Sequence, residues 1–531
     1  MKKGIITTIV LLAAAAVYYY AALPALNIHS AGVWYFLLAL VALAAVFYAL
    51  RKRLSPGEIR HSKGMKGILG LFLVLLVVYL AGTLLSSPVV NAKKYQQLLT
   101  VEEGDFATEI EELSFDQIPI LDRDTAELLG DRKMGSMADM VSQFEADDIY
   151  SQINYNDRPV RVTPLKYASL VKWFTNQSEG LPAYIRIDMA NQTTEMVKLE
   201  EGMKYSMSDH FNRNIYRHLR FAHPTYIYGD LSFEIDEEGI PYWIAPVKQY
   251  NIGLFGGETI GRVVLCNAIT GETEDYAIED APTWIDRAFS ADLLVELYDY
   301  HGTLQHGFWN SVLGQKDCLK TTDGYNYLAI DDDVWVYTGV TSVNSDQSNV
   351  GFVLMNQRTM ETRYYPVEGA TETSAMASAE GQVQNLQYTA TFPLLLNISG
   401  QPTYFMALKD DAGLVKMYAM VNVEQYQIVA TGSTVSQCEE QYQGLLESGG
   451  IETEEEAEET GETKQITGVI EKISQGVIEG NSHYYLMLED SEEIFDVPIV
   501  DFIEVMRLNP GDTVTMEYTE GTDTCQVLSL K

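Results

Sequence analysis

Cysteine is scarce in this chain: Cys266, Cys318, Cys438 and Cys525 are all there is in 531 residues. None forms a CxxC pair, so zinc knuckles and thioredoxin-type redox motifs are excluded on spacing. Two disulfides remain arithmetically open, but a body this large does not need them, and four buried thiols are expected. Positive charge is also short, with 36 Lys and Arg against 74 Asp and Glu and a formal net charge of −38. Residues 1–95 hold ten basic residues and a single acid, Glu58, for +9, which leaves −47 on the other 436. Such an acidic body repels phosphate backbones, which excludes DNA and RNA as partners.

Long hydrophobic runs are present only at the start. Gly4–Leu23, Val33–Leu50 and Gly67–Leu85 contain no Asp, Glu, Lys or Arg. Each is close to the ~20 residues that cross ~30 Å of hydrocarbon as a helix, so three transmembrane helices are expected. Lys2 and Lys3 precede the first run, and Arg51, Lys52, Arg53, Arg60, Lys63 and Lys66 fill the loop before the third. Positive-inside bias then puts the N-terminus in the cytoplasm and everything after about Ser86 outside, at the cell membrane. A cleaved signal peptide is the alternative for the first run, and it leaves the body outside as well. No ionisable group sits within the runs, so they read as an anchor rather than an ion path.

Beyond the anchor, the chain reads as loosely repeated. VVLCNAITGETEDYAI (Val263–Ile278) and FVLMNQRTMETRYYPV (Phe352–Val367) share an apolar strand running into Asn, then Thr, Glu and Tyr at equal offsets. Asn267, Thr270, Glu272 and Tyr276 match Asn356, Thr359, Glu361 and Tyr365, which predicts two similar β-hairpins. Pro241–Val247 and Tyr325–Asp331 are expected as their upstream partner strands, with Pro402–Val423 and Pro182–Leu199 as further copies. Helices are expected over Leu165–Phe174, Ser208–Phe221 and Ser290–Tyr300, the last two capped by Ser208 and Ser290. Leu293, Leu294, Leu297 and Tyr298 fall at helical spacing and should face a sheet. Asp124 and Thr125 open a short helix ending near Gly130, and Val435–Ser448 closes the body.

Glu447–Glu462 holds eight Glu with no Lys or Arg, a composition that stays extended. After it, alternating strands, a helical insert near Phe502–Leu508 and a turn at Asn509–Asp512 predict a five-stranded OB-like module. The expected fold is therefore three transmembrane helices, an α+β extracytoplasmic body of repeated helix-plus-antiparallel-sheet units, and a small C-terminal β-barrel. Its segments are an anchor over 1–90, a helical or loop stalk over 91–160, the repeated body over 161–446, a disordered acidic linker over 447–464 and the module over 465–531.

Chemistry-bearing motifs are sparse. Neither GxSxG, HExxH nor GxxxxGK[ST] occurs. Ser169–Lys172 is an SxxK without companion elements and reads as helix surface. The glycine-rich stretch Gly253–Gly261 lacks a phosphate-loop lysine and reads as a hairpin loop. His210, His218, His223, His301, His306 and His483 show no metal-ligand spacing. Asp331–Asp333 and the turns Asp236–Gly239 and Asp410–Gly413 are open to weak calcium binding, with solvated acidic turns as the alternative. Tyrosine is abundant at 33 residues. Tyr325, Tyr327, Tyr337, Tyr364, Tyr365, Tyr404, Tyr418, Tyr484 and Tyr485 read either as strand-forming core edges or as a recognition surface. No catalytic, cofactor-binding or metal residue is nominated, and no cofactor is expected.

TFPLLLNISGQPTYFMALKDDAGLVKMYAMVNV, with TWIDRAFSADL and GFWNSVLGQKD, resembles a family of large membrane-anchored envelope proteins of Gram-positive bacteria that has no assigned activity. The resemblance covers about Asp122–Gly432 and implies a membrane protein with a large outer domain and no catalytic residues to carry over. The helix-plus-strand units also resemble, in shape alone, PepSY-type extracytoplasmic modules. A non-catalytic binding or scaffold protein of the cell envelope is expected, its partner an envelope protein or cell-wall polymer. The alternatives are a sensing subunit of a membrane complex and a cell-wall-acting enzyme.

Overall fold

The computed structural model describes residues 2–110, 118–330, 332–343, 348–449, 464–478, 481–489, 491, 493–499, 502–520 and 524–530. The acidic run expected as a linker lies, from 450 to 463, outside them. The chain divides into two compact units, Met1–Ile398 with Pro402–Tyr442, and Ser399–Gln401 with Gln443–Lys531.

Unit one opens with helices α1 (Lys2–Ala22), α2 (Ala31–Lys52), α3 (Pro56–His61), α4 (Lys63–Ser86) and α5 (Pro88–Gln96). Two of them, α2 and α4, are long and apolar enough to cross a membrane, and the apolar part of α1, Thr8–Ala22, is shorter. The short α3 turns the chain between α2 and α4, capped by Ser55, whose backbone N–H donates 2.8 Å to Glu58 Oε2. The two long helices run antiparallel and pack together, with Tyr35 Oη and Tyr79 Oη 2.7 Å apart. Arg51, Lys52 and Arg53 at the end of α2 and Lys63 and Lys66 at the start of α4 therefore share one end. The body attaches at the other: Ser86 Oγ accepts the N–H groups of Leu254 (2.8 Å) and Phe255 (3.1 Å). Those residues are the turn between strands Pro241–Ile252 and Gly256–Asn267, so the glycine-rich stretch is a hairpin turn and its following strand.

The body is α+β with almost wholly antiparallel sheets. The first contains Phe144–Ala146, Ser151–Asn154, Pro159–Tyr167, Leu181–Asp188 and Thr194–Met203. The second is the meander Ser232–Ile235, Pro241–Ile252, Gly256–Asn267, Thr273–Ala277. A third is built on Asn326–Ile330, Asp333–Ser342, Gly351–Asn356 and Thr362–Tyr365, with Leu319–Thr321 on Asp333–Ser342 and Glu102–Glu103 added in parallel at the other edge. The fourth contains Thr389–Ala390, Leu394–Ile398, Gln401–Lys409, Val415–Asn422 and Val429–Gly432.

Several expectations are corrected. Phe144–Ala146 and Ser151–Asn154 pair with Pro159–Tyr167, so the last part of the segment expected as a helical or loop stalk over 91–160 belongs to the first sheet. Leu165–Tyr167 belong to that strand, and the helix runs only over Leu170–Asn176. Ser208 caps nothing; a 3-10 turn at Phe211–Arg213 precedes helix Ile215–Ala222, capped by Asn214. The helix expected to stop near Gly130 spans Arg123–Gly135, its N-cap Asp122 accepting the Thr125 N–H at 3.0 Å. Asp333–Ser342, rather than Tyr325–Asp331, pairs with Gly351–Asn356, whereas the Asp410 turn joins Gln401–Lys409 to Val415–Asn422 as the sequence predicts. An apolar count finds strands but not their order, because register is fixed by the turns.

The matched Asn hairpins share one geometry. Asn267 Oδ1 accepts the N–H groups of Ile269 (2.9 Å) and Thr270 (3.0 Å). Asn356 Oδ1 accepts those of Arg358 (2.8 Å) and Thr359 (2.9 Å). Asp188 does the same for Ala190 and Asn191, both at 3.0 Å. Each side chain thereby substitutes for a backbone acceptor and fixes the turn.

Helix Ala291–Thr303 is capped by Ser290, whose Oγ accepts the Leu293 N–H at 3.3 Å. Leu293, Leu294, Leu297 and Tyr298 pack on Val336, Val340, Val353 and Met355 of the third sheet, as their spacing predicts. Helix Glu372–Gln382 was not legible: its face is mostly Ala, Ser and Gly and carries no apolar period. In unit two, strands Lys464–Ile478, Asn481–Leu488, Ile494–Pro498, Cys525–Leu530 and Thr513–Glu520 pair in that spatial order, and the last pairs back onto the first. A 3-10 turn, Ile503–Arg507, fills the expected helical insert.

Candidate functional site

A cavity of about 650 Å³ opens between the third and fourth sheets at the N-terminus of helix Glu372–Gln382. Seven of its lining residues are Ser or Thr: Thr321, Thr322, Thr341, Ser348, Thr371, Thr373 and Ser374; Lys320, Asp323 and Glu424 supply charge and Tyr426 a phenol ring. Thr371 ends its loop as a helix cap, with Oγ1 accepting the Ser374 N–H at 3.2 Å. Neither histidine nor cysteine lines the cavity.

A buried polar knot supports it. Asn349 Nδ2 donates to Tyr404 Oη (3.1 Å) and Glu372 Oε2 (3.3 Å), and Tyr404 Oη donates to the Ala370 carbonyl (2.8 Å). Glu372 is 1 % exposed, and burial holds its carboxyl above the usual range against the lowering effect of its hydrogen bonds. Glu372 Oε1, Asn349 Oδ1 and Tyr337 Oη are buried without a hydrogen-bond partner. Gly339 permits this packing, since a Cβ there would lie 2.4 Å from Glu372 Oε1 and from Asn349 Nδ2.

A second acidic group joins the first three sheets. Glu234 Oε2 accepts the Asp286 N–H at 3.0 Å, and Asp286 Oδ2 accepts the Asn154 N–H at 2.7 Å. Burial, and then the neighbouring Glu234 charge, pushes the Asp286 carboxyl well up; burial raises Glu234 too. Each of the two carboxyls thereby keeps its proton to a higher pH than a solvated one does. Asp333 beside them is neutralised by Arg358 at 2.6 Å.

The residues singled out in the sequence are dispersed rather than gathered. Ser169 caps Leu170–Asn176, Oγ accepting the Lys172 N–H at 3.3 Å. His218 meets the Gly271 carbonyl (2.7 Å), His301 the Gln96 carbonyl (3.2 Å) and His306 Asp317 (3.2 Å). His210 sits edge-on to Trp173, and His223 stacks on Tyr226; the His483 side chain lies outside the described residues. No group of three His, Cys, Asp or Glu suited to a metal occurs among the described residues. Asp236 Oδ1 accepts the Glu238 and Ile240 N–H groups, Asp410 Oδ1 those of Ala412 and Leu414, so both carboxylates hold turns. Asp331 lies outside the described residues, and Asp332 Oδ1 accepts from Asn154 Nδ2 at 3.1 Å. Tyr337, Tyr365 and Tyr404 are fully buried, so these three tyrosines are core. All four cysteines are buried thiols; burial pushes Cys266 and Cys438 up to about 12.

The cavity residues were missed because they come from five separated stretches of polar sequence. Only the Thr371–Glu372 cap pair offered a local signal. No protein-family model matches the chain, and no curated protein matches it.

Proposed function

We propose that the chain is a membrane-anchored, non-catalytic binding protein of the bacterial envelope, its body outside the cell and its cavity taking a polar, hydroxyl-rich ligand or peptide segment. The observation that carries this reading is the cavity lining: many paired donors and acceptors, a mixed-sign rim, and no nucleophile–base pair. The anchor would comprise α2 and α4, with α1 as a third span. Their basic turn lies at the end remote from the body, in keeping with positive-inside bias. The 1-2-3-5-4 strand order of unit two, with its return to strand one, supports assigning it as an OB-like module and a second contact for peptide or glycan.

The test is affinity purification of the tagged full-length protein from native membranes, beside a Ser374→Trp variant that fills the cavity. A stoichiometric partner or glycan captured by the parent and lost from the variant supports the reading. Equal capture by both removes the cavity from it. Recovery of the protein alone, with no glycan, overturns it.

A further inference from the structure

Four large apolar side chains stand together on the body where burial is the rule. Leu170, Val171 and Phe174 are 64 %, 69 % and 70 % exposed on helix Leu170–Asn176, and Phe211 is 65 % exposed on the neighbouring 3-10 turn. Their orientation is fixed. Trp173, between them, turns inward, where its indole N–H donates 3.0 Å to the buried Asp209, so the opposite face of its helix points out. The Trp173 ring lies 6.4 Å from Phe174 and 6.0 Å from Phe211, which makes the cluster contiguous. Phe211 also adopts φ +53°, a left-handed conformation that strains a bulky residue. That strain keeps an aromatic ring in solvent, the reverse of what folding alone selects.

The cluster abuts the end of α1. Arg217 donates to the Phe211 carbonyl (2.7 Å) and lies 4.4 Å over the Tyr20 ring, while Tyr20 Oη donates to Asn212 Oδ1 (3.3 Å). Arg220 Nε reaches the Leu23 carbonyl at 2.9 Å. At this body-side end, α1, α2 and α4 carry Tyr18, Tyr19, Tyr20, Trp34, Tyr35 and Tyr79, in contact with Phe36, Phe221 and Phe255 of the same region. Aromatic side chains of this kind collect at the membrane–water boundary.

We infer that Leu170, Val171, Phe174 and Phe211 form a wedge that dips into the outer-leaflet interface beside α1, so that the body lies against the lipid surface rather than standing clear of it. The occupant is lipid, argued from continuity with the apolar helices; the inference rests on the membrane reading above. Insertion to the headgroup–acyl boundary is the depth at which an apolar face this size is stable.

The test uses full-length protein in phosphatidylglycerol–phosphatidylcholine nanodiscs, spin-labelled at Phe174→Cys or Val171→Cys, with Leu73→Cys on α4 as the membrane reference. The native thiols are buried and stay unlabelled. Collision with oxygen is expected to exceed collision with a water-soluble nickel chelate several-fold at all three sites, most strongly at Leu73. A label at 171 and 174 that favours nickel while Leu73 favours oxygen overturns the wedge and leaves the anchor standing. Nickel preference at all three overturns both.

Discussion

The indole of Trp173 donates a 3.0 Å hydrogen bond to Asp209, a carboxylate that is 1 % exposed and also accepts from Ser206 Oγ at 2.8 Å. Burial pushes Asp209 up to about 6, against the opposing pull of those two hydrogen bonds and of Arg213. The folded state therefore holds the proton more tightly than the unfolded chain does. This contribution to stability is fully present below about pH 4 and declines as pH rises towards 6, then levels off.

Asp209→Asn keeps an acceptor for the indole and removes the charge. Denaturant unfolding of the parent, minus that of the variant, should fall by of order 2 kcal/mol between pH 4 and pH 6.5. A pH-independent difference would show that Asp209 is ionised throughout.

Glu234 and Asp286 make the same argument at the junction of three sheets. Both are raised, so their joint contribution is lost as pH climbs above the ordinary carboxylate range. Asp286→Asn retains an acceptor for the Asn154 N–H and needs no proton. Its stability relative to the parent should improve from pH 5 to pH 8. Thermal melts at the two pH values decide it.

The three Asx-type hairpins each place a left-handed residue four positions after the Asx side chain. Gly271 has φ +80°, while Gln192 and Met360 hold the equivalent turn at +63° and +66°. Gln192→Gly should stabilise by about 0.5–1 kcal/mol, since only glycine adopts this region without strain. Gly271→Ala should destabilise by more, because its Cβ would also lie 2.3 Å from the Tyr205 ring. Asn267→Ala and Asn356→Ala remove the turn acceptor and should each cost about 1–2 kcal/mol by urea titration.

Leu297, 1 % exposed, sits between helix Ala291–Thr303 and the third sheet. Leu297→Ala should cost about 2–5 kcal/mol, read as a lowered urea midpoint with unchanged slope. A loss below about 1 kcal/mol would mean that the helix packs loosely on its sheet.

Periodicity and capping made the Ser290 helix and its core face legible, and the Asn267 and Asn356 turns were readable from their shared offsets. The alternating strands of unit two were readable for the same local reason. What failed was non-local. Leu165–Tyr167 is apolar enough for helix or strand and became a strand because Phe144–Ala146 pairs with it. Glu372–Gln382 lacks an apolar stripe, and its packing surface is made by small residues fitted to the fourth sheet.

The sequence by itself determined the apolar helices, the basic turn between two of them, the burial of the thiols and the chemistry of the hairpin turns. Each depends on residues within one or two turns of chain, where spacing and side-chain type suffice. Tertiary structure alone decided the hydroxyl-lined cavity, the Glu234–Asp286 pair and the outward Phe174–Phe211 cluster. Those arise where separated strands and helices meet, and whether a carboxyl or a ring is buried there depends on neighbours that no local pattern names.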